Sequence, residues 1–174
     1  ESVIATLSAE DKDLGDTHTY ELVSGEGDTD NDSFTIEGNT LKINAAPDYE
    51  TKSSYNIRLK TTDSGGLFYE KAVTLSVNDI NDVATDIISS ASSFNENIDA
   101  ASIVLTLSTI DEDASDSHTY ELAEGEGDTD NDSFTIDGDK LKINSSSDYE
   151  TQSSYNIRLK TTDNGGLSYE KTIT

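Results

Sequence analysis

Apolar and polar residues alternate along several short stretches of the chain, a pattern that indicates β-strands with one buried face. Every second residue is apolar from Tyr55 to Leu59 and from Val73 to Val77. Tyr20–Leu22 marks a shorter strand, and Ile103–Leu107 is predicted to be the first strand of the second half. No stretch of useful length has a helical period, so the pattern predicts an all-β protein.

Turn sequences separate these strands. Glu37-Gly38-Asn39 lies between the apolar positions of Phe34–Ile36 and those of Leu41–Ile43, which predicts a β-hairpin. Asp63–Gly66 is a turn between two longer strands. About seven short strands in about 100 residues predict an antiparallel Greek-key β-sandwich of immunoglobulin-like type.

The chain contains two copies of one sequence pattern. His18–Leu22 returns as His118–Leu122, and Gly25–Ile36 returns unchanged as Gly125–Ile136, with residue numbers that differ by 100 throughout. The period is that of a whole domain, so we expect two tandem sandwiches and not a solenoid. We place repeat one at residues 1–82, with its N-terminal strand truncated, and repeat two at residues 83–174, with its C-terminal strand truncated. The chain is interpreted as a window of a longer array.

Charge limits the possible partners. The chain has 36 acidic and 11 basic residues and a formal charge of -25, so phosphate-rich nucleic acids and anionic membranes would repel it. No apolar run is long enough for direct membrane insertion. Two carboxylates about 4 Å apart repel by roughly 4 kcal/mol at an effective dielectric of about 20, so clustered acids must be spread out, protonated or neutralised by cations. The chain has no cysteine, and a metal is the obvious substitute for a disulfide.

The acidic residues form short clusters at predicted strand ends. Calcium takes six to eight oxygen ligands from carboxylates, amides and main-chain carbonyls, and loops of a sandwich can supply them. The clusters are Asp11-Lys12-Asp13, Asp48-Tyr49-Glu50 and Asp63, their counterparts Asp111-Glu112-Asp113, Asp148-Tyr149-Glu150 and Asp163, and Asn78-Asp79-Ile80-Asn81-Asp82 between the copies.

These clusters make the whole chain resemble the cadherin family. Cadherin repeats carry a middle Asp-x-Glu, an Asp-x-Asn-Asp linker, an early Asp-x-Asp in the next repeat and a late Asp before a Gly-rich turn. The matching residues are Asp48-Tyr49-Glu50, Asp79-Ile80-Asn81-Asp82, Asp111-Glu112-Asp113 and Asp163. Phe94-Asn95-Glu96-Asn97 follows, imperfectly, the Glu-Asn pair that opens a repeat.

The resemblance implies up to three Ca²⁺ ions at the junction of the two repeats. The implied ligands are Asp48, Glu50, Asp79, the main-chain carbonyl of Ile80, Asn81, Asp82, the main chain of Val83, Asp111, Asp113 and Asp163. Further ligands would serve a preceding junction (Asp11, Asp13 and Asp63) and a following one (Glu96, Asp148 and Glu150). The chain departs from the family in two ways. The Glu that opens the earlier repeat would precede Glu1, so one ion would bind weakly or be lost, and Val83 stands where the family has Asn.

Other polar motifs leave simpler interpretations open. Asp28–Asp32 and its copy begin like an EF-hand loop, but Ser33 replaces the glycine at the sixth place and Asn39 stands at the twelfth. The loop is therefore either a solvated acidic face or a separate calcium site. His18 and His118 are interpreted as strand-edge residues and not as zinc ligands. No nucleophile–base arrangement or phosphate loop is visible, so we expect a protein that is not an enzyme.

The favoured function is a calcium-binding structural and adhesive module of an extracellular protein, either at the cell surface or secreted. Calcium would stiffen the junction, and the neighbouring repeats would be the first partners. The close similarity of the copies and the Ser/Thr/Asp-rich, cysteine-free composition resemble bacterial cadherin-like repeats of very large adhesins. A calcium-dependent carbohydrate-binding module is the alternative, so both a homophilic and a carbohydrate partner remain open.

Overall fold

The computed structural model describes residues 1–13 and 15–174, which fold into β-strands joined by turns, with two single-turn 3-10 helices. The strands are β1 (Ser2–Thr6), β2 (His18–Leu22), β3 (Phe34–Glu37), β4 (Thr40–Ile43), β5 (Ser54–Asp63), β6 (Phe68–Ser76), β7 (Asp86–Ser89), β8 (Ile103–Ile110), β9 (Thr119–Leu122), β10 (Phe134–Asp137), β11 (Lys140–Ile143), β12 (Ile157–Thr162) and β13 (Ser168–Ile173). The 3-10 helices are Asn31–Ser33 and Asn131–Ser133. The predicted all-β fold is confirmed. Within the described ranges no helix is both long and apolar enough to cross a membrane.

The chain divides into two compact units, Glu1–Ile80 and Asn81–Thr174. We call these two units repeat one and repeat two. The sequence-based boundary between residues 82 and 83 stays a prediction.

Repeat one consists of two antiparallel three-stranded sheets, with strand orders β1-β4-β3 and β2-β5-β6. The pairs β1–β4 and β2–β5 are not consecutive in sequence, as a Greek-key connection requires. β3 and β4 form the predicted hairpin, in which Glu37 pairs with Thr40 across Gly38 and Asn39. Gly38 has a φ of 61°, the left-handed conformation that glycine adopts without strain.

Repeat two repeats this arrangement and adds a strand, so its sheets have the orders β10-β11-β8-β7 and β13-β12-β9. The expectation that Ile103–Leu107 is the first strand of this repeat is wrong. β7 precedes it, and Asp86 of β7 pairs with Ile110 of β8. β7 has four residues, of which Ile87 is buried and Ile88 is exposed. So short a strand shows no alternation of its own in the sequence.

Each sandwich closes around its own core. The core residues are Phe34, Leu41, Ile43 and Ile57 in repeat one, and Ile87, Leu107, Phe134, Leu141, Ile143, Ile157 and Leu159 in repeat two. Burial of one such side chain contributes roughly 1.5–3 kcal/mol. Because the same alternating positions supply both cores, equivalent loops of the two repeats hold their acidic residues at equivalent strand ends.

Candidate metal centre

The first segment of repeat two runs against its last acidic loop. The amide nitrogen of Asn81 donates a 3.0 Å hydrogen bond to Oδ2 of Asp163, and the main-chain N–H of Leu167 donates to Oδ1 at 2.8 Å. Asp163 is only 7% exposed, whereas its counterpart Asp63 in repeat one is half-buried. Burial raises the pKa of Asp163, but the hydrogen bonds from Asn81 and the main chain outweigh it, so this pKa is lowered.

A glycine makes room for this contact. A Cβ atom on Gly165 would lie 2.2 Å from Oδ1 of Asn81, closer than any two unbonded atoms can approach. The Gly-Gly turn after Asp163 therefore does more than reverse the chain. It leaves the space in which the Asn81 amide reaches the carboxylate.

The early acidic pair of repeat two contacts the same segment. The main-chain N–H of Asp82 donates to Oδ2 of Asp113 at 2.7 Å, and the N–H of Asp113 donates to Oδ1 of Asp111 at 3.2 Å. Nε2 of His118 lies 2.9 Å from Oδ2 of Asp111, whose side chain is 3% exposed. The histidine is thus a partner of an acidic residue, and it is placed just before β9. Asp82, Asp111, Asp113 and Asp163 are held on one end of this sandwich.

Sequence reasoning missed Asp116. Burial raises the pKa of its carboxyl, and the nearby carboxylates of Asp113, Asp163 and Asp111 raise it further. With its amide nitrogen turned towards Asp116, Asn164 donates to both carboxylate oxygens at 2.7 and 2.5 Å. Asp116 stands outside the Asp-x-Asp motif, so the family pattern did not mark it. Its recurrence as Asp16 in the first copy was the available signal.

Repeat one gathers the equivalent acids. Single carboxylate oxygens of Asp11, Asp16 and Asp63 lie within 4.8 Å of one another. Asp16 accepts a 2.8 Å hydrogen bond from the hydroxyl of Ser64, the counterpart of Asn164. The pKa of Asp11 is lowered by the main-chain N–H of Asp13 and by His18. The cluster brings Asp11 and Asp63 together, and Asp13 contributes a main-chain contact to Asp11.

The middle acidic loop of repeat one presents Asp48 and Glu50 beside Asp79. Oxygens of Glu50 come within 4.8 Å of those of Asp48 and of Asp79. Asp48 also caps its own turn by accepting from the hydroxyl of Thr51 at 2.6 Å and from its N–H at 3.1 Å. These bonds lower the pKa of Asp48, so it stays ionised in ordinary buffers. Ile80, the last residue of this unit, is 76% exposed.

The corresponding loop of repeat two gathers Asp148, Glu150 and Glu96. One oxygen from each lies within 4.8 Å of the other two. Glu96 lies beside this loop because its segment is hydrogen-bonded to it. The N–H of Tyr149 donates to Oε2 of Glu96 at 3.1 Å, and the N–H of Asn97 donates to the carbonyl of Ser147 at 2.8 Å. These three residues are the set that the cadherin resemblance grouped together. Val83, near the start of this unit, is 46% exposed.

The Asp28–Asp32 loop and its copy use their side chains for internal structure. Asp130 accepts from the N–H of Asn156 at 2.7 Å and from Nε2 of Gln152 at 2.9 Å. The amide of Asn131 donates to the carbonyl of Ala123 at 2.8 Å and accepts from the N–H of Arg158 at 3.0 Å. The main-chain contacts recur around Asp30 and Asn31, and the ammonium of Lys52 takes the place of the Gln152 amide. Among the described residues, no acid of this loop belongs to a group of three carboxylates within 4.8 Å of one another, which favours a structural role over a local calcium site.

The donor set of the end clusters fits a hard divalent cation. The collected groups are carboxylate and amide oxygens on loops, the ligands that calcium prefers, and the two histidines bind aspartates. Both repeats concentrate negative charge in these clusters. The residues are Asp82, Asp111, Asp113, Asp116 and Asp163 in repeat two, and Asp48, Glu50 and Asp79 in repeat one. The pKa of Asp116 is raised first by burial and then by the neighbouring carboxylates of Asp113, Asp163 and Asp111.

Comparison with known proteins places the fold. No family model matches the chain. Cadherin-3 of Caenorhabditis elegans is 35% identical over 83 residues, which are 47% of this chain and 2% of that protein. The chain therefore spans a very small part of the curated relative that it matches.

Solved structures agree in fold. The EC1-2 structure of human protocadherin-24 superposes with a TM-score of 0.70 and 23% identity, covering 98% of this chain and 83% of that one. Extracellular cadherin domains 3-6 of protocadherin gamma B2 superpose with a TM-score of 0.66 and 19% identity, covering 98% of this chain and 41% of that one. The chain thus consists of tandem β-sandwiches with the fold of cadherin extracellular repeats.

Proposed function

We propose that this chain is a calcium-binding structural and adhesive module of an extracellular protein, in which Ca²⁺ bridges repeat one and repeat two. Repeat one would contribute Asp48, Glu50, Asp79 and the main-chain carbonyl of Ile80. Repeat two would contribute Asn81, Asp82, the main chain of Val83, Asp111, Asp113 and Asp163. To these residues we add Asp116.

One observation carries the proposal: Asn81 and Asp82 are hydrogen-bonded to Asp163 and Asp113 within repeat two. The two residues that begin this unit are thereby held against two acidic loops that come from distant parts of the sequence. The N–H groups of the linker hold it beside these loops, where a cation could take oxygen ligands from the linker and from the loops.

The proposed role of the ion is to neutralise the clustered carboxylates and to fix the loops that carry them. Without a cation, carboxylates that lie within a few ångströms of one another repel, and the junction would act as a hinge. A ligand that binds only the ordered state stabilises that state by about 2.7 kcal/mol at 100 times its dissociation constant. Extracellular calcium modules bind with constants of roughly 0.1–1 mM, which suits calcium-rich surroundings outside cells.

The remaining clusters would serve neighbouring repeats in the same way. Asp11, Asp13, Asp16 and Asp63 form the face for a preceding junction, and Glu96, Asp148 and Glu150 form the face for a following one. A rod of such repeats at the surface of a cell would carry or space an adhesive domain. The acidic, cysteine-free composition and the close similarity of the two copies favour a bacterial surface adhesin.

Isothermal titration with calcium tests the proposal on the whole chain. Asp82→Asn keeps the size of the side chain and removes one ligand charge, and we expect it to weaken binding by about tenfold, equivalent to 1.4 kcal/mol. Asp99→Asn removes the same charge from an exposed loop outside the clusters and should leave the affinity unchanged. Equal affinities for the two variants would contradict the assignment of Asp82.

A pair of assays separates the adhesive role from the carbohydrate alternative. Beads coated with the chain should aggregate in calcium and disperse in EGTA if the repeats themselves adhere. Calcium-dependent binding to a glycan array, without bead aggregation, would instead identify a carbohydrate-binding module. If the chain binds calcium but shows neither bead aggregation nor glycan binding, the repeats would act as a spacer.

A further inference from the structure

The two copies differ at one position of the turn that carries their late aspartate. Repeat one has Ser64 before the two glycines of this turn, whereas repeat two has Asn164. Of the chain's asparagines, Asn164 alone is followed by glycine. Asparagine is a chemically labile residue. A glycine after it leaves its side chain open to attack by the next main-chain nitrogen, since glycine has no Cβ to obstruct the approach.

The structure places this Asn-Gly pair at an exposed turn. The N–H of Gly166 donates to the carbonyl of Asp163 at 3.3 Å, which closes a turn with Asn164 and Gly165 at its two central positions. Both central residues are exposed, and both lie outside the paired residues of β12 and β13. Water therefore reaches the side chain of Asn164, and a local rotation of the main chain there breaks no hydrogen bond of the sheet.

The attacking atom would be the main-chain nitrogen of Gly165. Among the residues that the structure describes, no main-chain carbonyl accepts a hydrogen bond from its N–H, which is turned towards the carboxylate of Asp163. Attack by this nitrogen therefore leaves the main-chain hydrogen bond of the turn intact.

We propose that Asn164 is a site of spontaneous deamidation, a covalent modification that replaces its side-chain amide by a carboxylate. The nitrogen of Gly165, after losing its proton to hydroxide, bonds to the side-chain carbonyl carbon of Asn164, and the amide nitrogen leaves as ammonia. Water then opens the cyclic imide at one or the other of its carbonyls, which gives aspartate or isoaspartate. Overall, one water is consumed and one ammonia is released.

The amide that is lost is a hydrogen-bond donor within the acidic cluster of repeat two. With its nitrogen turned towards Asp116, Asn164 donates to both carboxylate oxygens of that residue. The charges of Asp113 and Asp163 already act on Asp116. Deamidation replaces the donor by a further carboxylate at the same place, and like charges at so short a distance repel. The modification therefore destabilises this end of the sandwich.

Isoaspartate has a further effect, because it adds a carbon atom to the main chain between Asp163 and Gly165. The carboxylate of Asp163 accepts a 3.0 Å hydrogen bond from the amide of Asn81, and Gly165 leaves room for it. A longer main chain between these two residues displaces one of them from Asn81. The change is confined to repeat two, because the hydroxyl of Ser64 cannot form an imide.

Peptide mapping by mass spectrometry tests the reaction. The whole chain is incubated in EGTA at mildly alkaline pH and physiological temperature, digested with trypsin and compared with a sample digested at once. Asn164 lies in the tryptic peptide 161–171 and Asn56 in the peptide 53–58, each as the sole asparagine. Asn56 is the matched control, because it is also exposed but precedes Ile57, whose branched side chain shields the main-chain nitrogen.

We expect the amide of Asn164 to be lost at least about tenfold faster than that of Asn56, with isoaspartate among the products. The rate at Asn164 should rise with pH, because hydroxide removes the proton from the attacking nitrogen. Equal rates at the two asparagines, or a rate at Asn164 that does not depend on pH, would overturn the proposal.

Two variants separate the reaction from its effect on the fold. Asn164→Ser restores the residue of repeat one, where the hydroxyl of Ser64 donates to Asp16 at 2.8 Å, and it should abolish the reaction. Asn164→Asp carries the charge of the product and should melt at a lower temperature in EGTA than Asn164→Ser. Equal melting temperatures would overturn the proposed effect on the acidic cluster. Because every measurement is made without calcium, failure here leaves the calcium proposal standing, and the converse also holds.

Discussion

The side-chain amide of Asn81 donates a 3.0 Å hydrogen bond to the buried carboxylate of Asp163, in the space that Gly165 leaves open. This contact joins the first residue of repeat two to a loop more than eighty residues later. It explains why a late aspartate followed by two glycines is useful here: the aspartate accepts the contact and the glycine at position 165 allows it. The proposed calcium site depends on the same geometry.

Gly165→Ala should therefore weaken calcium binding. The added Cβ would meet Oδ1 of Asn81 at 2.2 Å and displace the Asn81 side chain from its hydrogen bond to Asp163. We expect the calcium affinity to fall by about tenfold in isothermal titration. Gly65→Ala in repeat one is the matched control, because its Cβ would meet Oδ1 of Asp63 at 3.3 Å and needs only a small adjustment. If both substitutions changed the affinity equally, the room beside Asn81 would be irrelevant to the ion.

Asp116→Asn should have effects of opposite sign with and without calcium. Burial and three neighbouring carboxylates raise the pKa of Asp116, so its ionised form destabilises the calcium-free fold. Removing that charge should raise the melting temperature in EDTA and lower the calcium affinity. Melting curves in EDTA and in saturating calcium, with Asp99→Asn as the charge-matched control, provide the measurement. A decrease in both conditions would mean that Asp116 acts only in packing.

The same residue gives the calcium-free protein a specific pH dependence. The folded pKa of Asp116 lies above its unfolded value, so the unfavourable contribution is present at neutral pH. It disappears as the pH falls through the folded pKa. Between wild type and Asp116→Asn, the difference in unfolding free energy in EDTA should shrink as the solution is acidified. A difference that stays constant from neutral pH to about pH 4 would contradict this role of Asp116.

Asn131→Ala should destabilise repeat two regardless of calcium. The Asn131 amide joins the carbonyl of Ala123 to the N–H of Arg158, and its loss leaves partly buried main-chain groups unpaired. We expect a cost of about 1–3 kcal/mol in urea unfolding, equal in EDTA and in calcium. Asn95→Ala, at an exposed side chain, is the control. A loss of calcium affinity without a loss of stability would revive the local calcium site in this loop.

Lowering the pH should destabilise the Asp128–Asp132 loop, because Asp130 becomes protonated. The N–H of Asn156 lowers the pKa of Asp130, and Gln152 lowers it further, against the opposing effect of burial. A lowered carboxyl pKa stabilises the fold above the unfolded pKa, and that stability is lost as the pH falls through the folded value. Asp130→Asn should cost stability at neutral pH in EDTA and flatten the acid limb of the pH profile. An acid limb as steep as that of the wild type would show that Asp130 contributes nothing to it.

Sequence reasoning found the fold because strands with one buried face leave an alternating record, as Tyr55–Leu59 shows, and because a duplicated chain repeats that record. β7 was not predicted because a strand of four residues with one buried side chain shows no alternating pattern. The acidic loops could be found from motif spacing, but Asp116 could not, since only folding brings it beside Asp111, Asp113 and Asp163. The Asp28–Asp32 run left both a solvated face and a calcium site open, because composition does not reveal that oxygens of Asp30 and Asn31 accept hydrogen bonds from other parts of the chain.

Small-angle X-ray scattering of the whole chain in EGTA and at increasing calcium is the sharpest test of the proposed calcium bridge. If calcium joins oxygen ligands from both repeats, saturation should give a longer maximum dimension and a less flexible particle. Asp82→Asn should move the midpoint of this change to higher calcium, while Asp99→Asn should not. Scattering curves that superimpose in EGTA and in saturating calcium would contradict the bridge.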